Sequence, residues 1–267
     1  MNNPKSLIRS FVDKHLDGNI DALATYELSS LKDNKMYGNP GRYYDSDDTE
    51  LMRAIYCVVF KNAWPDIQQN LESYKLRGDT LNTFATMFGK IRGNYRPEVH
   101  PGLDQHNPSA EMVKIVEDFY RICWTMGNMT VLPNIYFNNE TINKYRGCHD
   151  NWHDYEDRFL LGLFLILTDG EPKDKVLVDL IKANEAFFNT YYGIEGWKRF
   201  IDLHFLNDYV DENHKPVISS KGYFYWNSWN MTDEQYFEEA KRYCTFATKV
   251  IKNRARKMID LLKKENV

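Results

Sequence analysis

The stretch "DYEDRFLLGLFLILT", residues 154–168, predicts the element around which the fold is built. Within it, "FLLGLFLIL" (159–167) is apolar on nearly every side of a helix. Such a helix is normally buried in the middle of a bundle, because it has no polar face to present to water. The run is far shorter than the ~20 residues that a membrane span requires. We therefore expect a mainly α, single helical domain over residues 1–267, built around a buried central helix at about 154–168.

Amphipathic helices are predicted on both sides of this central helix. A helix begins near Asp48–Thr49 and ends before Pro65, and a second one is capped by Asn107 and ends at Gly127. Two more follow the central helix, in "DKVLVDLIKANEAFFNTYYG" and "GWKRFIDLHFLNDYV". A weaker helical pattern covers 78–89, where either Asp79 or the residue after it serves as the cap.

The chain is predicted to close with a long C-terminal helix. Thr232 and Gln235 form a T-x-x-Q capping box, and apolar residues at spacings of three and four follow it. Small extended or hairpin elements are expected at 128–138 and in the aromatic segment 215–230. Pro133 excludes the first of these from the centre of a sheet, because proline has no N–H to donate.

Composition limits the compartment and the partners. A hydrophobic content of 43% supports a substantial core, and a net charge of −4 excludes a global basic field that attracts nucleic acid. The N-terminus lacks the apolar region of a secretory signal, and the four cysteines show no CxxC spacing. We therefore expect a cytoplasmic protein with reduced thiols and no membrane association.

A pattern spread over 126–159 carries a family resemblance. Its parts are Met126-Gly127-Asn128-Met129, Pro133, Ile142-Asn143, Arg146-Gly147 and Asp157-Arg158-Phe159. The sequence resembles an uncharacterised bacterial family with the pattern TIGxM…P…INxxRG…DRF. The family continues with DLTL where this chain has LLGL, so its acidic residue is missing here. The resemblance implies a domain of unknown function in which residues 126–159 are important, and it implies no particular reaction.

The polar stretch "KYRGCHDNWHDYEDRF" (144–159) is the leading candidate site. Arg146 and His153 have six residues between them, which resembles the R-x4–6-H motif of all-helical ribonucleases in bacterial toxin and defence systems. In that motif the histidine is a general acid or base and the arginine stabilises phosphorane charge. Gly147 departs from the motif. The leading hypothesis is a protein that acts on RNA or a nucleotide through Arg146, His149, His153 and Arg158. Asn143 is a further candidate binding residue, and Asp157 either pairs with an arginine in the fold or helps to bind the ligand.

Two metal-dependent alternatives remain open. His149 and His153 are four residues apart and share a helix face, but the HExxH pattern is absent. The segment "GNMTVLPNIYFN" also resembles half of an HNH-type nuclease, in which His100 activates water, Asn128 orients it, and Asn138 or Asn139 binds the metal. In a purely structural interpretation, the glycine–asparagine pair at 127–128 ends the preceding helix. Neither pattern is complete, so no metal ligand or cofactor is assigned.

A non-enzymatic binding module is the alternative function. The final helix carries a basic stripe that includes Lys252, Arg254 and Arg256, and such a stripe can bind phosphates by counterion release. Trp226 and Trp229, just upstream in the aromatic segment 223–229, could stack on bases. A solvated helix face above an aromatic core explains the same pattern without a partner.

Overall fold

The computed structural model describes residues 6, 8–9, 50–82, 109–122, 125–142, 145, 156–217 and 232–265. Within these ranges the chain forms eight α-helices and one two-stranded antiparallel sheet. The predicted mainly α fold is therefore confirmed. None of the helices in the described ranges combines the length and the apolar character that crossing a membrane requires.

The elements are numbered in chain order. The helices are α1 (Glu50–Val59), α2 (Ile67–Glu72), α3 (Ala110–Ile122), α4 (Glu156–Leu167), α5 (Lys175–Ala183), α6 (Glu185–Phe188), α7 (Gly193–Leu203) and α8 (Asp233–Lys264). The strands are β1 (Leu76–Thr80) and β2 (Met129–Pro133). Short 3-10 turns occur at Met126–Asn128, Asn189–Tyr191 and Asn207–Tyr209.

Helix α4 is the apolar helix that the sequence predicts. No side chain from Phe159 to Leu167 is exposed, and five of them are buried. Helices α5 and α7 pack against it. The two helices after α4 were predicted from their amphipathic pattern, and the structure confirms both.

Helix α8 is the long C-terminal helix. Thr232 Oγ1 accepts a hydrogen bond from the backbone N–H of Gln235 at 3.2 Å, and Gln235 Oε1 accepts one from the backbone N–H of Thr232 at 3.0 Å. The predicted capping box is thus confirmed. The helix has 32 residues, and its apolar stripe packs against α3, α1 and the turns at 126–128 and 207–209.

The sheet joins two segments that are distant in sequence. Leu76 pairs with Pro133 at one end, and Thr80 pairs with Met129 at the other. Strand β2 confirms the extended segment predicted after residue 128. The helix predicted over 78–89 is wrong at its start, because residues 76–80 form β1. In this strand Leu76, Gly78 and Thr80 are buried, whereas Arg77 between them is exposed, as strand periodicity requires.

Two predicted helix ends also differ from the structure. Helix α1 ends at Val59, and a turn leads from there to Trp64. Helix α3 ends at Ile122, so Gly127 lies in the following 3-10 turn. Ser109 Oγ accepts a hydrogen bond from the backbone N–H of Met112 at 3.1 Å and caps α3, whereas Asn107 lies outside the described residues.

Trp64 joins α1, β2 and the α6–α7 region in one aromatic core. Its indole N–H donates to the carbonyl of Val131 at 2.8 Å. Its ring makes edge contacts with Phe187, Phe188, Tyr191, Phe200 and His204 at centroid distances between 4.9 and 6.2 Å. The core therefore continues from the sheet to α7.

Candidate functional site

Most of the predicted catalytic residues lie outside the described part of the chain. These are Arg146, His149 and His153, together with the predicted binding residues Asn143, Trp226 and Trp229. The backbone of Asp157 and Arg158 forms the first turn of α4, but their side chains are not among those described. The roles of these residues stay predictions.

Arg254 is a structural residue of the core. Its side chain is fully buried, its Nε donates to the carbonyl of His204 at 3.0 Å, and its Nη1 donates to the carbonyls of Gly127 at 2.8 Å and Met129 at 2.5 Å. The prediction that Arg254 belongs to an exposed phosphate-binding stripe is therefore wrong. Its position, three residues after Ile251 and four before Met258, places it on the buried face of α8.

Asn128 is also buried and fully engaged within the fold. Its Nδ2 donates to the carbonyl of Asn82 at 2.6 Å, and its Oδ1 accepts from the backbone N–H of Asn82 at 2.8 Å. The Asn82 side chain in turn accepts from the Tyr209 hydroxyl at 2.6 Å and donates to the Tyr243 hydroxyl at 3.3 Å. This network extends the β1–β2 pairing into the core. Asn128 is thus not positioned to orient a water for metal-dependent hydrolysis.

The described residues contain no cluster of metal-ligating side chains that would support the rest of the metal-nuclease hypothesis. Asn138 and Asn139 have φ angles of 50° and 64° and form an exposed two-residue turn between Phe137 and Glu140. No group of three histidine, cysteine or carboxylate residues that could hold a metal occurs in the described ranges. His100 lies outside those ranges.

His204 is a buried neutral histidine that the sequence reasoning did not select. Its ring stacks on Phe200 at 4.2 Å and meets the edge of Trp64 at 4.9 Å. Burial, and secondarily the charge of Arg254, lower the pKa of His204 well below its usual range. Neither ring nitrogen has a hydrogen-bond partner among the residues that the structure describes. The sequence signal for the burial of His204 was its position four residues after Phe200, on an apolar helix face.

A cleft of about 330 Å³ lies between the start of α3 and the first turns of α8. Its walls carry Glu111, Glu234, Glu238 and Lys241. Glu111 Oε1 and Lys241 Nζ pair at 2.8 Å, which lowers the pKa of Glu111 and raises the pKa of Lys241. The described walls of the cleft carry three carboxylates and one ammonium group, so their net charge is negative. This charge makes the cleft unsuitable for a phosphate.

Apart from the buried Arg254 and the exposed Lys264, the basic residues of α8 fall into two groups. Lys241, Arg242 and Lys257 each lie within 3.0 Å of a carboxylate, on Glu111, Glu239 and Asp208 respectively. The second group occupies the outer face toward the C-terminal end of the helix and consists of Lys249, Lys252, Arg256 and Lys263. In the described ranges, none of the three lysines of this group has a carboxylate within 4.0 Å, and Arg256 donates to the side-chain amide of Asn253 at 3.3 Å.

We call this second group the outer basic face. Its residues are separated by three, four and seven positions, so they lie on one side of the helix. Lys249, Arg256 and Lys263 are exposed, and Lys252 is half-buried. Lys252 and Arg256 of the predicted basic stripe both lie on this side of the helix, and their binding role stays a prediction. Asp260 is an acidic residue on the same side.

The fold defines a class of mainly α-helical proteins in which a long, partly basic C-terminal helix packs against neighbouring helices and against the turn that leads into a small antiparallel sheet. Residues 91–258 match the family of unknown function DUF6994, which is more than half of the chain, and the protein belongs to this family. The predicted membership in an uncharacterised family is confirmed. Searches of curated proteins and of solved structures found no significant match.

Proposed function

We propose that this protein binds RNA or a nucleotide through the outer basic face of α8 and acts on it through Arg146, His149, His153 and Arg158. The observation that supports the binding step is the absence of carboxylate partners around Lys249, Lys252 and Lys263 in the described ranges. Cations that no carboxylate neutralises are available to a polyanion, whereas the paired Lys241 and Lys257 are not.

The spacing of the face suits an extended chain of phosphates. At 1.5 Å per helical residue, Lys249 and Lys263 lie roughly 21 Å apart along the axis. Each phosphate that a lysine or arginine neutralises releases a condensed counterion, and this release drives binding at low salt. The attraction is local, because the whole chain carries a net charge of −4.

The catalytic step rests on the chemistry of the stretch that precedes α4. An imidazole can transfer a proton at neutral pH, and a guanidinium can stabilise the charge that develops on phosphorus oxygens. Arg146 and His153 supply this pair at the R-x4–6-H spacing. The proposed reaction is therefore ribonuclease-like, and the same motif suggests a role in toxin or defence systems.

Binding is tested by titrating a single-stranded RNA of about 12 nucleotides at several salt concentrations, with fluorescence anisotropy as the readout. Each lost phosphate contact should reduce the slope of log K against log salt by about 0.7 for a single strand. The double variant K249Q/K252Q should therefore lose about 1.4 units of slope. The matched control K182Q, on the exposed side of α5, should leave the slope unchanged. An unchanged slope in K249Q/K252Q would overturn the assignment of this face.

Catalysis is tested by single-turnover cleavage of the same RNA by the wild-type protein and by H153N and R146K, which keep a polar side chain at each position. Both variants should lose activity while their helicity and melting stay unchanged. The half-exposed His214 provides the control H214N, which should cleave at the wild-type rate. Wild-type binding without cleavage would instead support the non-enzymatic binding module that includes Trp226 and Trp229.

A further inference from the structure

Exposed aromatic side chains gather at one end of the two-stranded sheet. Tyr74 is 61% exposed and Tyr136 is 62% exposed, which makes them the two most exposed large apolar side chains that the structure describes. Phe137 beside them is 38% exposed. Tyr74 precedes β1 and Tyr136 follows β2, so both lie beyond the Leu76–Pro133 pair.

Hydrogen bonds beyond the sheet hold the two segments together. The backbone N–H of Asn134 donates to the carbonyl of Lys75 at 2.8 Å, and its Nδ2 donates to the carbonyl of Tyr74 at 3.4 Å. Paired strand residues have Cα atoms about 5 Å apart, and each further residue adds at most 3.8 Å. The Cα atoms of Tyr74 and Tyr136 are therefore within roughly 16 Å of each other. From this separation, the two tyrosine side chains can reach adjacent stacked bases.

The backbone around these rings is fixed. Phe137 and Glu140 exchange backbone hydrogen bonds at 2.8 and 2.9 Å across a turn whose two central residues, Asn138 and Asn139, have positive φ. This is the geometry of a tight type I′ hairpin turn. Tyr74 itself has a φ of 57°. A pre-organised loop loses little conformational entropy when a ligand binds, so its rings can contribute fully to affinity.

Positive charge lies beside the aromatic rings. The guanidinium carbon of Arg53 is 5.9 Å from the centroid of the Tyr74 ring. Lys75 is exposed, and in the described ranges it has no carboxylate within 4.0 Å. Arg53 belongs to α1, which packs against α8, and Lys61 just after α1 pairs with Glu265 at the end of α8 at 2.7 Å. Helix α1 thus connects the aromatic end of the sheet to the helix that carries the outer basic face.

We propose that Tyr74 and Tyr136 stack on successive bases of a single-stranded RNA and that Lys75 contacts the phosphate between them. This inference rests on the proposed function, because it names the strandedness of the RNA and a second contact surface for it. Aromatic rings and the exposed ammonium group of Lys75 together complement bases and phosphates, whereas either group alone would complement only one part of the ligand. Paired bases in a duplex are not available for such stacking, so the surface selects single strands.

The test uses three ligands of matched length: single-stranded RNA, the corresponding duplex and inorganic polyphosphate. Alanine at Tyr74 or at Tyr136 should weaken binding of the single strand by roughly 5–150-fold, since one stacked base contributes about 1–3 kcal/mol. Binding of polyphosphate should stay unchanged. The ring-preserving variants Y74F and Y136F should bind single-stranded RNA like the wild type, and Y192A, at another exposed tyrosine, is the matched control.

The outcomes separate this inference from the function on which it rests. If K249Q/K252Q weakens RNA binding while Y74A and Y136A do not, the stacking surface is wrong and the outer basic face stands. Equal affinity of the wild type for duplex and single strand would also overturn the stacking surface. If the wild type binds neither RNA nor polyphosphate, both proposals are wrong, and the exposed rings are better explained as contacts for a protein partner.

Discussion

The Nε of Arg254 donates to the carbonyl of His204 at 3.0 Å, and this bond joins α8 to the end of α7. The same guanidinium bonds the carbonyls of Gly127 and Met129 on either side of Asn128. One buried side chain therefore ties together three segments that are far apart in the sequence. A hydrogen bond to a charged group contributes about 1.5–3 kcal/mol, and unsatisfied buried partners add to the loss when it is removed.

Replacing Arg254 should destabilise the fold strongly. R254M keeps the aliphatic stem but leaves three buried carbonyls without their donor, so the free energy of unfolding should fall by about 3–5 kcal/mol. Urea denaturation followed by circular dichroism measures this. R256M, on the exposed side of the same helix, should change stability by less than about 0.5 kcal/mol. A stable R254M that has lost RNA binding would contradict the structural role and favour phosphate contact.

Gly127 should not tolerate a side chain. A Cβ at this position would lie 2.7 Å from the Cβ of Ala255 and would clash with the carbonyl oxygen of Ile251, so α8 would have to move away from the 126–128 turn. We expect G127A to lower the free energy of unfolding by about 1–3 kcal/mol. The control is G162A, whose Cβ meets only the end of the flexible Leu177 side chain at 2.9 Å. A melting temperature for G127A equal to that of G162A would contradict the close packing.

The stability of the fold should depend on both the N–H donor and the oxygen acceptor of the Asn128 side-chain amide. In N128D the carboxylate can still accept from the backbone N–H of Asn82, but it cannot donate to the Asn82 carbonyl. A buried charge with an unmatched acceptor should cost about 2–4 kcal/mol at neutral pH. The loss should shrink in acid, because a protonated carboxyl can donate again. N139D, in an exposed turn, is the control, and a loss for N128D that does not depend on pH would be inconsistent with this network.

His204 should make the fold sensitive to acid. Its pKa is depressed in the folded protein, so above its unfolded pKa of about 6.5 it is neutral in both states and adds no pH dependence. As the pH falls below about 6.5, the unfolded chain binds a proton that the folded protein does not. Stability should therefore decrease by up to about 1.4 kcal/mol per pH unit, down to the folded pKa.

The measurement is a set of urea denaturation curves between neutral pH and about pH 5, compared with H204F. Phenylalanine keeps an aromatic ring among Phe200 and Trp64 and keeps the backbone carbonyl that Arg254 bonds. The variant should lose the part of the acid destabilisation that His204 causes. Parallel pH curves for the two proteins would show that other groups are responsible.

Local patterns in the sequence were sufficient to predict the main helices. The capping box at Thr232 and Gln235 and the spacing of apolar residues after it identify α8, and the continuous apolar run identifies α4. Strand β1 was missed because its partner strand is about 50 residues away along the chain. When the partner strand is not known, the local sequence Asp79-Thr80 indicates a helix cap.

The candidate site was only partly predictable for the same reason. Helical spacing is enough to place Lys252 and Arg256 on the outer face. It could also have placed Arg254 next to Ile251 and Met258 on the buried face. It could not show that the carbonyls of Gly127 and His204 would receive the guanidinium, because those contacts depend on the tertiary fold. Asn128 was selected from a motif resemblance, and its true partner, Asn82, could not be inferred from spacing.

The position of α8 in the chain has a consequence for biosynthesis. Arg254 and the carbonyl it bonds at Gly127 are 127 residues apart, and every other described helix precedes α8. At about 5–20 residues per second, translation of the 32 residues of α8 takes roughly 2–6 s. During that time the apolar faces of α1 and α3 that α8 will cover are open to solvent on the ribosome. The nascent protein should therefore depend on chaperones until α8 has been synthesised and has docked.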